Sequence, residues 1–357
     1  MFRPLVALCF LGLLAGPAIP QQSAPPAPQP EQPSTRIQVQ VNEVIVPVTV
    51  TDDKGKFVSN LTANDFRVLD EGKPQRIQFF SHGGKQSIVV GFLIDMSNAT
   101  RIHWKTYQDA ILELVWALLP GDDPRFSGYL ISFSNDAELA VNTTHDNEKI
   151  SEAIRRMKPG GGAAFFDAIY MACTTRSLVK GEPFEPRRIL IVIGDGHDSA
   201  SKRSLDEVLE LAKRNLVTIY AISTQSFGFN NESSSVLERL TNETGGHVEY
   251  PLNALYQDVS GYLSTPKDAG NYVYEPGTGG YAGEVAAGIT KAVGGITGDI
   301  NQQYILRYVP DVDPDVRPRV FRRIKVELPN VPGAKIRARD GYFPYGVPGV
   351  PAPTGGQ

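Results

Sequence analysis

Hydrophobic and polar positions alternate along the first part of the chain with the two-residue period of half-buried strands. Ile37, Val39 and Val41 follow it, and Val44, Val46, Val48 and Val50 repeat it. Asp52-Asp53-Lys54-Gly55 reads as a turn. Leu61 to Phe66 reads as one capped helical turn, with Thr62 and Asp65 as its polar ends. Phe66–Leu69 and Ile77–Phe80 predict two strands across the Asp70-Glu71-Gly72-Lys73 turn. At residue 88 the period changes. Ile88–Ile94 is an unbroken apolar run, as expected of a strand buried on both faces. Trp104, Tyr107, Ile111, Leu114, Val115 and Leu118 form a helical stripe that Pro120-Gly121 ends. Tyr129–Phe133 and Ala137–Val141 predict strands, Asp146 caps a helix carrying Ile150, Ile154 and Met157, and another helix spans Phe165–Leu178. Ile189–Ile193 is a second buried strand. Ser204 with Glu207, and Ser235 with Glu238, predict capping boxes on two further helices. Strands are expected at Val217–Ile222 and His247–Tyr250.

This alternation predicts an α/β domain over 85–300, with an open, mainly parallel Rossmann-like sheet and helices on both faces. Its rhythm breaks at 252–282, an irregular insertion, and resumes in a small-residue helix carrying Val285, Ile289, Val293 and Ile296. Strand patterning then returns at Tyr304, Leu306 and Tyr308, at Ile324, Val326 and Leu328, at Ile336 and Ala338, and at Gly341–Phe343. Neither β-rich flank can bury a core alone. Residues 37–84 and 301–343 are therefore expected to form one β-sandwich-like module, with the α/β domain inserted between its halves. Lys335, Arg337 and Arg339 alternate with Ile336 and Ala338, which places three cations on one strand face. The expectation there is a solvated face or a contact for an acidic partner.

The chain ends add a compartment. Arg3, the apolar run Leu5–Ala15 and Gly16-Pro17-Ala18 have the pattern of a secretory leader over 1–18, cut after Ala18. The run is too short to span a bilayer as a helix. Residues 19–36, rich in Pro, Gln, Ala and Ser, read as a tether, and 344–357 as a Pro/Gly tail. Cleavage removes Cys9 and leaves Cys173 as a core thiol, so no intrachain disulfide is expected. No other stretch is apolar enough for a transmembrane segment in the mature chain. A secreted, periplasmic or cell-envelope protein is expected. With 41% hydrophobic and 21% charged residues and a net charge of -4, the chain is globular and offers no electrostatic case for nucleic acid.

In an open α/β sheet, ligands bind beyond the carboxyl ends of the strands. Three loops belong there: Asp95-Met96-Ser97-Asn98-Ala99, Gly160-Gly161-Gly162-Ala163 and Gly194-Asp195-Gly196-His197-Asp198-Ser199. Oxygen side chains converging there suit a hard divalent cation. Their order and spacing resemble the von Willebrand factor A-like (vWA) domain, whose metal-ion-dependent adhesion site uses Asp-x-Ser-x-Ser, a Thr after a Gly pair, and an Asp opening Asp-Gly-x-x-Asp. Asp95, Ser97 and Asp195 match, while Ala99 and Ala163 stand where the second Ser and the Thr belong. The segments "VTVTDDKGKFVSNLTANDFRVLDEGKPQRIQFF" and "QQYILRYVP…RRIKVELP…IRARDGYF" resemble those that bracket the domain in a secreted acidobacterial-type vWA-related family.

The resemblance implies a protein-binding, adhesion or scaffolding module, whose partner is another protein or an envelope component. It implies an incomplete metal site of Asp95, Ser97 and Asp195, holding Mg²⁺ or Mn²⁺ weakly or not at all, and a partner-binding rim of Asn98, His197 and Asp198. Asn98 and Thr100 carry further oxygens, but out of register. Two alternatives stay open: a metal-assisted hydrolase at the same rim, and a structural envelope component. No catalytic residue is assigned. Asp195, His197 and Ser199 share one loop and point in different directions, and no Gly-x-Ser-x-Gly elbow exists. Gly160–Gly162 lacks the Gly-Lys-Ser/Thr of a phosphate loop, and the five His have no ligand spacing.

Overall fold

The computed structural model describes residues 43–82, 87–175, 178, 186–225, 232–252, 279–310 and 320–344. The leader, the tether, the strand expected at 37–41, most of the 252–282 insertion and the tail lie outside them.

The α/β domain is built on strands β5 (Ile88–Asp95), β6 (Phe126–Phe133), β7 (Ala137–Thr144), β8 (Arg187–Gly194), β9 (Thr218–Ser223) and β10 (Val248–Glu249). They form a six-stranded sheet in the order β10-β9-β8-β5-β6-β7. All neighbours run parallel except β6 and β7. The apolar runs explain the order, since β5 and β8 sit at the centre and are buried almost throughout. Successive β5 side chains alternate between two cores. Ile88, Val90, Phe92 and Ile94 pack with α1 (Trp104–Leu118), α2 (Asn147–Arg156) and α6 (Gly279–Gln302). Val89 and Leu93 pack with α3 (Phe165–Thr174), α4 (Leu205–Arg214) and α5 (Glu232–Thr244). Each fully buried side chain of this kind contributes about 1.5–3 kcal/mol.

Local signals place the helix starts well. The Asp146 carboxylate accepts the Glu148 and Lys149 amides, and Ser204 and Glu207 form the expected capping box. The second expected box is a correction. Ser235 and Glu238 lie inside α5, which starts at Glu232, so their spacing marks an interior turn. No helix among the described residues is long and apolar enough to cross a membrane.

The flanks supply the remaining strands: β1 (Val44–Thr51), β2 (Arg67–Asp70), β3 (Lys73–Gln75) and β4 (Phe79–His82) before the α/β domain, and β11 (Tyr304–Tyr308), β12 (Arg322–Glu327), β13 (Lys335–Ala338) and β14 (Gly341–Tyr342) after it. They form two four-stranded sheets, β13-β1-β11-β4 and β14-β12-β2-β3, each mixing strands from both flanks. Val44, Val46, Val48 and Val50 meet Val68, Ile324 and Tyr342 of the other sheet in one core. The turn at 70–73 is where expected, but the strand it leads into is β3. β4 leaves for the other sheet and pairs with β11, because Phe80 stacks on Tyr304 there.

Asp70, wholly buried, joins the two sheets. It accepts from the Tyr308 hydroxyl at 2.9 Å, the Tyr342 hydroxyl at 2.8 Å and Arg322 Nε at 2.8 Å. The α/β domain is tied to this module by buried groups. Leu216, with φ of 53°, packs into the β core. Gln303 Nε2 donates to Thr49 Oγ1 and to the Tyr220 hydroxyl. These ties overturn the expected solvated cationic face on β13. Arg337 pairs with the buried Asp299 at 2.7 Å, and Arg339 is only 4% exposed. Only Lys335 of the three is exposed, since that face of the strand is turned toward the α/β domain.

Candidate functional site

Because β5 and β8 are parallel neighbours with Ile94 opposite Ile193, their carboxyl ends bring Asp95 beside Gly194, and Asp195 follows. Glycine is required at 194, where a Cβ would come within 2.9 Å of the Asp95 Cβ. Gly196 takes φ of +80°, and a Cβ there would meet the Ser233 carbonyl oxygen at 2.6 Å. The tight loop this allows puts His197 out into solvent.

Asp95 is 1% exposed, and its Oδ1 accepts the Ser97 amide at 2.7 Å. Burial pushes its carboxyl up to about 6, and the nearby Asp195 charge acts the same way against the hydrogen bonds from Ser97. Ser97, also buried, accepts the Ala99 amide on Oγ and caps the helical turn Asn98–His103. Asp195 is half-buried, and its Oδ1 accepts the His197 amide at 2.8 Å.

The third loop is tied to the other two. The Asn98 amide donates to the Gly161 carbonyl at 3.1 Å, and the Gly160 amide to the Met96 carbonyl at 2.6 Å. The Ala163 amide donates to Ser199 Oγ, and the Ser199 amide returns a bond to the Ala163 carbonyl. Of the expected rim residues, Asn98 and His197 are exposed. Asp198 is half-buried and accepts the Phe166 amide and the Ser201 hydroxyl on Oδ1, which anchors the loop to the start of α3. Two supports escape sequence reasoning. Asn135 Oδ1 accepts the Gly162 amide, and Gln225 Nε2 donates to the Asp195 carbonyl. Asn135 carries only a turn signal in the sequence, and Gln225 carries none.

Among the described residues, no three Asp, Glu, His or Cys side chains gather as a metal set. Ala99 is exposed and Ala163 is buried, and neither offers an oxygen. Thr100 Oγ1 is buried without a hydrogen-bond partner. Two carboxylates and one hydroxyl fit a cation that keeps most of its waters, as Mg²⁺ readily does, and do not fit tight binding.

The model of the von Willebrand factor type A domain matches residues 90–255. Residues 90–255 are a vWA domain. The matched span runs from β5 through β10 and includes all three rim loops. Domains of this family mediate protein–protein interactions and are generally non-catalytic. Solved structures are similar to the chain at low identity. A conserved hypothetical protein, BatB from Bacteroides thetaiotaomicron, is 18% identical, with 45% of this chain and 88% of that one covered and a TM-score of 0.36. A von Willebrand factor type A protein from Catenulispora acidiphila is 10% identical over 84% of this chain and 73% of that one, with a TM-score of 0.44. Proximal thread matrix protein 1 from the mussel byssus, described with a zinc-occupied MIDAS motif, is 17% identical over 48% of this chain and 43% of that one, with a TM-score of 0.39. No curated protein matches the chain.

Proposed function

We propose that this chain is an exported binding module that engages another protein or an envelope component over the rim around Asp95 and Asp195. The observation that carries the reading is the cross-tied rim, in which three loops are fastened by amide hydrogen bonds and leave Asn98, Ala99 and His197 facing solvent. A surface ordered before contact loses little entropy on binding. Asp95, Ser97 and Asp195 would hold Mg²⁺ or Mn²⁺ weakly. Bound there, such a cation supplies a positive centre for an anionic group of the partner.

A non-catalytic role fits the same bonds. Ser199 Oγ accepts an amide from Ala163, and Asp195 Oδ1 accepts the backbone amide of His197. These groups form no nucleophile–base relay. Export rests on the leader pattern over 1–18.

Affinity capture of the full-length protein from an envelope fraction, with Mg²⁺ or with chelator, tests the reading against the double variant Asn98→Ala, His197→Ala. A specific partner should be recovered by wild type and lost in the variant. Equal recovery by both would move the contact away from the rim. Mass spectrometry of mature protein should give an N-terminus near Gln21, most simply at Ile19, and an intact Met1 on envelope protein would remove export.

A further inference from the structure

Lys213, Glu243 and Asp340 meet where the vWA domain touches the β module. Lys213 lies in the last turn of α4 and Glu243 in the last turn of α5, and Asp340 sits between β13 and β14. The Lys213 Nζ is 2.5 Å from Glu243 Oε2 and 3.0 Å from Asp340 Oδ2. Each partner is also fixed by a second bond. Glu243 Oε1 accepts from Arg239 Nε at 2.9 Å, and the Asp340 carbonyl accepts the Ile324 amide at 2.9 Å. The Lys213 side chain is 11% exposed, and the Phe321 ring, centred 4.5 Å from Nζ, keeps water from one side of it.

One carboxylate suffices to neutralise one ammonium, and here there are two in different surroundings. Burial raises the Asp340 carboxyl above its ordinary value against the pull of Lys213, which favours the uncharged acid. Its Oδ1 is buried without a hydrogen-bond partner among the described residues, a place that suits a neutral C=O better than a charged oxygen. Burial also acts to raise Glu243, but its hydrogen bonds from Lys213 and Arg239 outweigh this and keep it ionised. An amine, an acid and a base thus stand within hydrogen-bond reach of one another.

We propose that Lys213 and Asp340 become joined by an amide bond, with Glu243 as the proton carrier. Glu243 takes a proton from the Lys213 ammonium and hands it to Asp340 Oδ2. The neutral Nζ then attacks Asp340 Cγ, forming the N–C bond. A second amine proton passes through Glu243 to Oδ2, the Cγ–Oδ2 bond breaks, and one water leaves. An ammonium and a carboxylate become one amide and one water, Glu243 is regenerated, and no oxidant or co-reactant is consumed. Well-oriented groups reach effective molarities of about 10⁵ M or more, above the molarity of water, so condensation can prevail over hydrolysis. The three residues line an open cleft with Leu69 and Ile324, through which the water departs. The bond links positions 127 apart in the chain and staples α4 of the vWA domain to the β module.

Mass spectrometry of the intact mature protein tests this, and the wild-type measurement requires no variant to fold. Wild type should weigh one water less than its sequence demands. A protease digest should yield a branched peptide joining the chain around Lys213 to the chain around Asp340. Lys213→Arg keeps the positive charge but offers no attacking amine, and should have the full mass. Glu243→Gln keeps both reacting groups and, with native circular dichroism, should leave them largely unlinked. A wild-type protein of full mass that gives no branched peptide would overturn the proposal and leave an ion triad alone. Linkage as complete in Glu243→Gln as in wild type would overturn the part given to Glu243.

Discussion

Replacing Asp70 by Ala should destabilise the whole described fold, although Asp70 lies far from the rim. Its carboxylate is wholly buried and accepts from Tyr308, Tyr342 and Arg322, with Arg322 Nη2 at 2.7 Å as well. The substitution leaves a nearly buried guanidinium without its partner, which costs about 3–5 kcal/mol. It also strands two buried phenols. That loss is a large part of the roughly 5–15 kcal/mol that holds an ordinary domain together. Tyr308→Phe is the milder perturbation. It removes one hydrogen bond to a charged acceptor and should cost about 1.5–3 kcal/mol. Urea unfolding has a convenient reporter, because both tryptophans, Trp104 and Trp116, lie on α1 of the vWA domain. If Leu216, Gln303 and Arg337 make module and domain one cooperative unit, the Trp-detected midpoint should fall with the circular-dichroism midpoint in both variants. A Trp midpoint that stays at its wild-type value while the dichroism shifts would refute the coupling. An Asp70→Ala cost below about 1 kcal/mol would refute the carboxylate's place as the tie between sheets.

Three further outcomes follow from particular residues. Ala99→Ser with Ala163→Thr should tighten Mg²⁺ or Mn²⁺ binding by calorimetry relative to wild type, and Asp95→Ala should abolish it. Tight wild-type binding that survives Asp95→Ala would put the cation elsewhere. Burial lowers the His247 imidazole, but its contacts with Asp299 and Glu249 outweigh this and hold it above its ordinary value. Its stabilisation is therefore complete below the unfolded value of 6.5 and is lost as pH rises through the higher folded value. Urea midpoints measured against pH should show that fall, and His247→Gln should flatten it. Gly246→Ala would drive a Cβ onto the Ile219 carbonyl oxygen and should cost about 1–3 kcal/mol or more by denaturant unfolding. An unchanged midpoint would mean that β9 and the start of β10 are not packed as described.

What the sequence discloses is what local chemistry encodes. Ile88–Ile94 and Ile189–Ile193 are apolar without interruption because both faces of β5 and β8 are covered, and the sheet order follows from them. Asp146 and Ser204 disclose helix starts because a cap is made within four residues. Asp95, Ser97 and Asp195 are legible by spacing, since adjacent parallel strands must deliver their loops to one edge. The rest depends on distant partners. Nothing near Phe79 says that β4 will leave its hairpin to join β11, and the alternation at 335–339 marks a charged face without saying what covers it. Arg337 is half-buried because Asp299, 38 positions earlier, waits on α6. Gln225 reaches the rim from just beyond the carboxyl end of β9, and no local motif announces it.

The interleaving of the two flanks has a mechanical consequence. β1 and β11 are antiparallel partners, with Val44 opposite Tyr308, and β13 closes on the other side of β1. The vWA domain lies between β4 and β11 along the chain, outside the shortest load path between residues 43 and 344. Tension applied across those two points falls first on the ladders of β1 and on the Asp70 junction. Until those ladders part, the rim loops carry none of that load and keep their shape under tension.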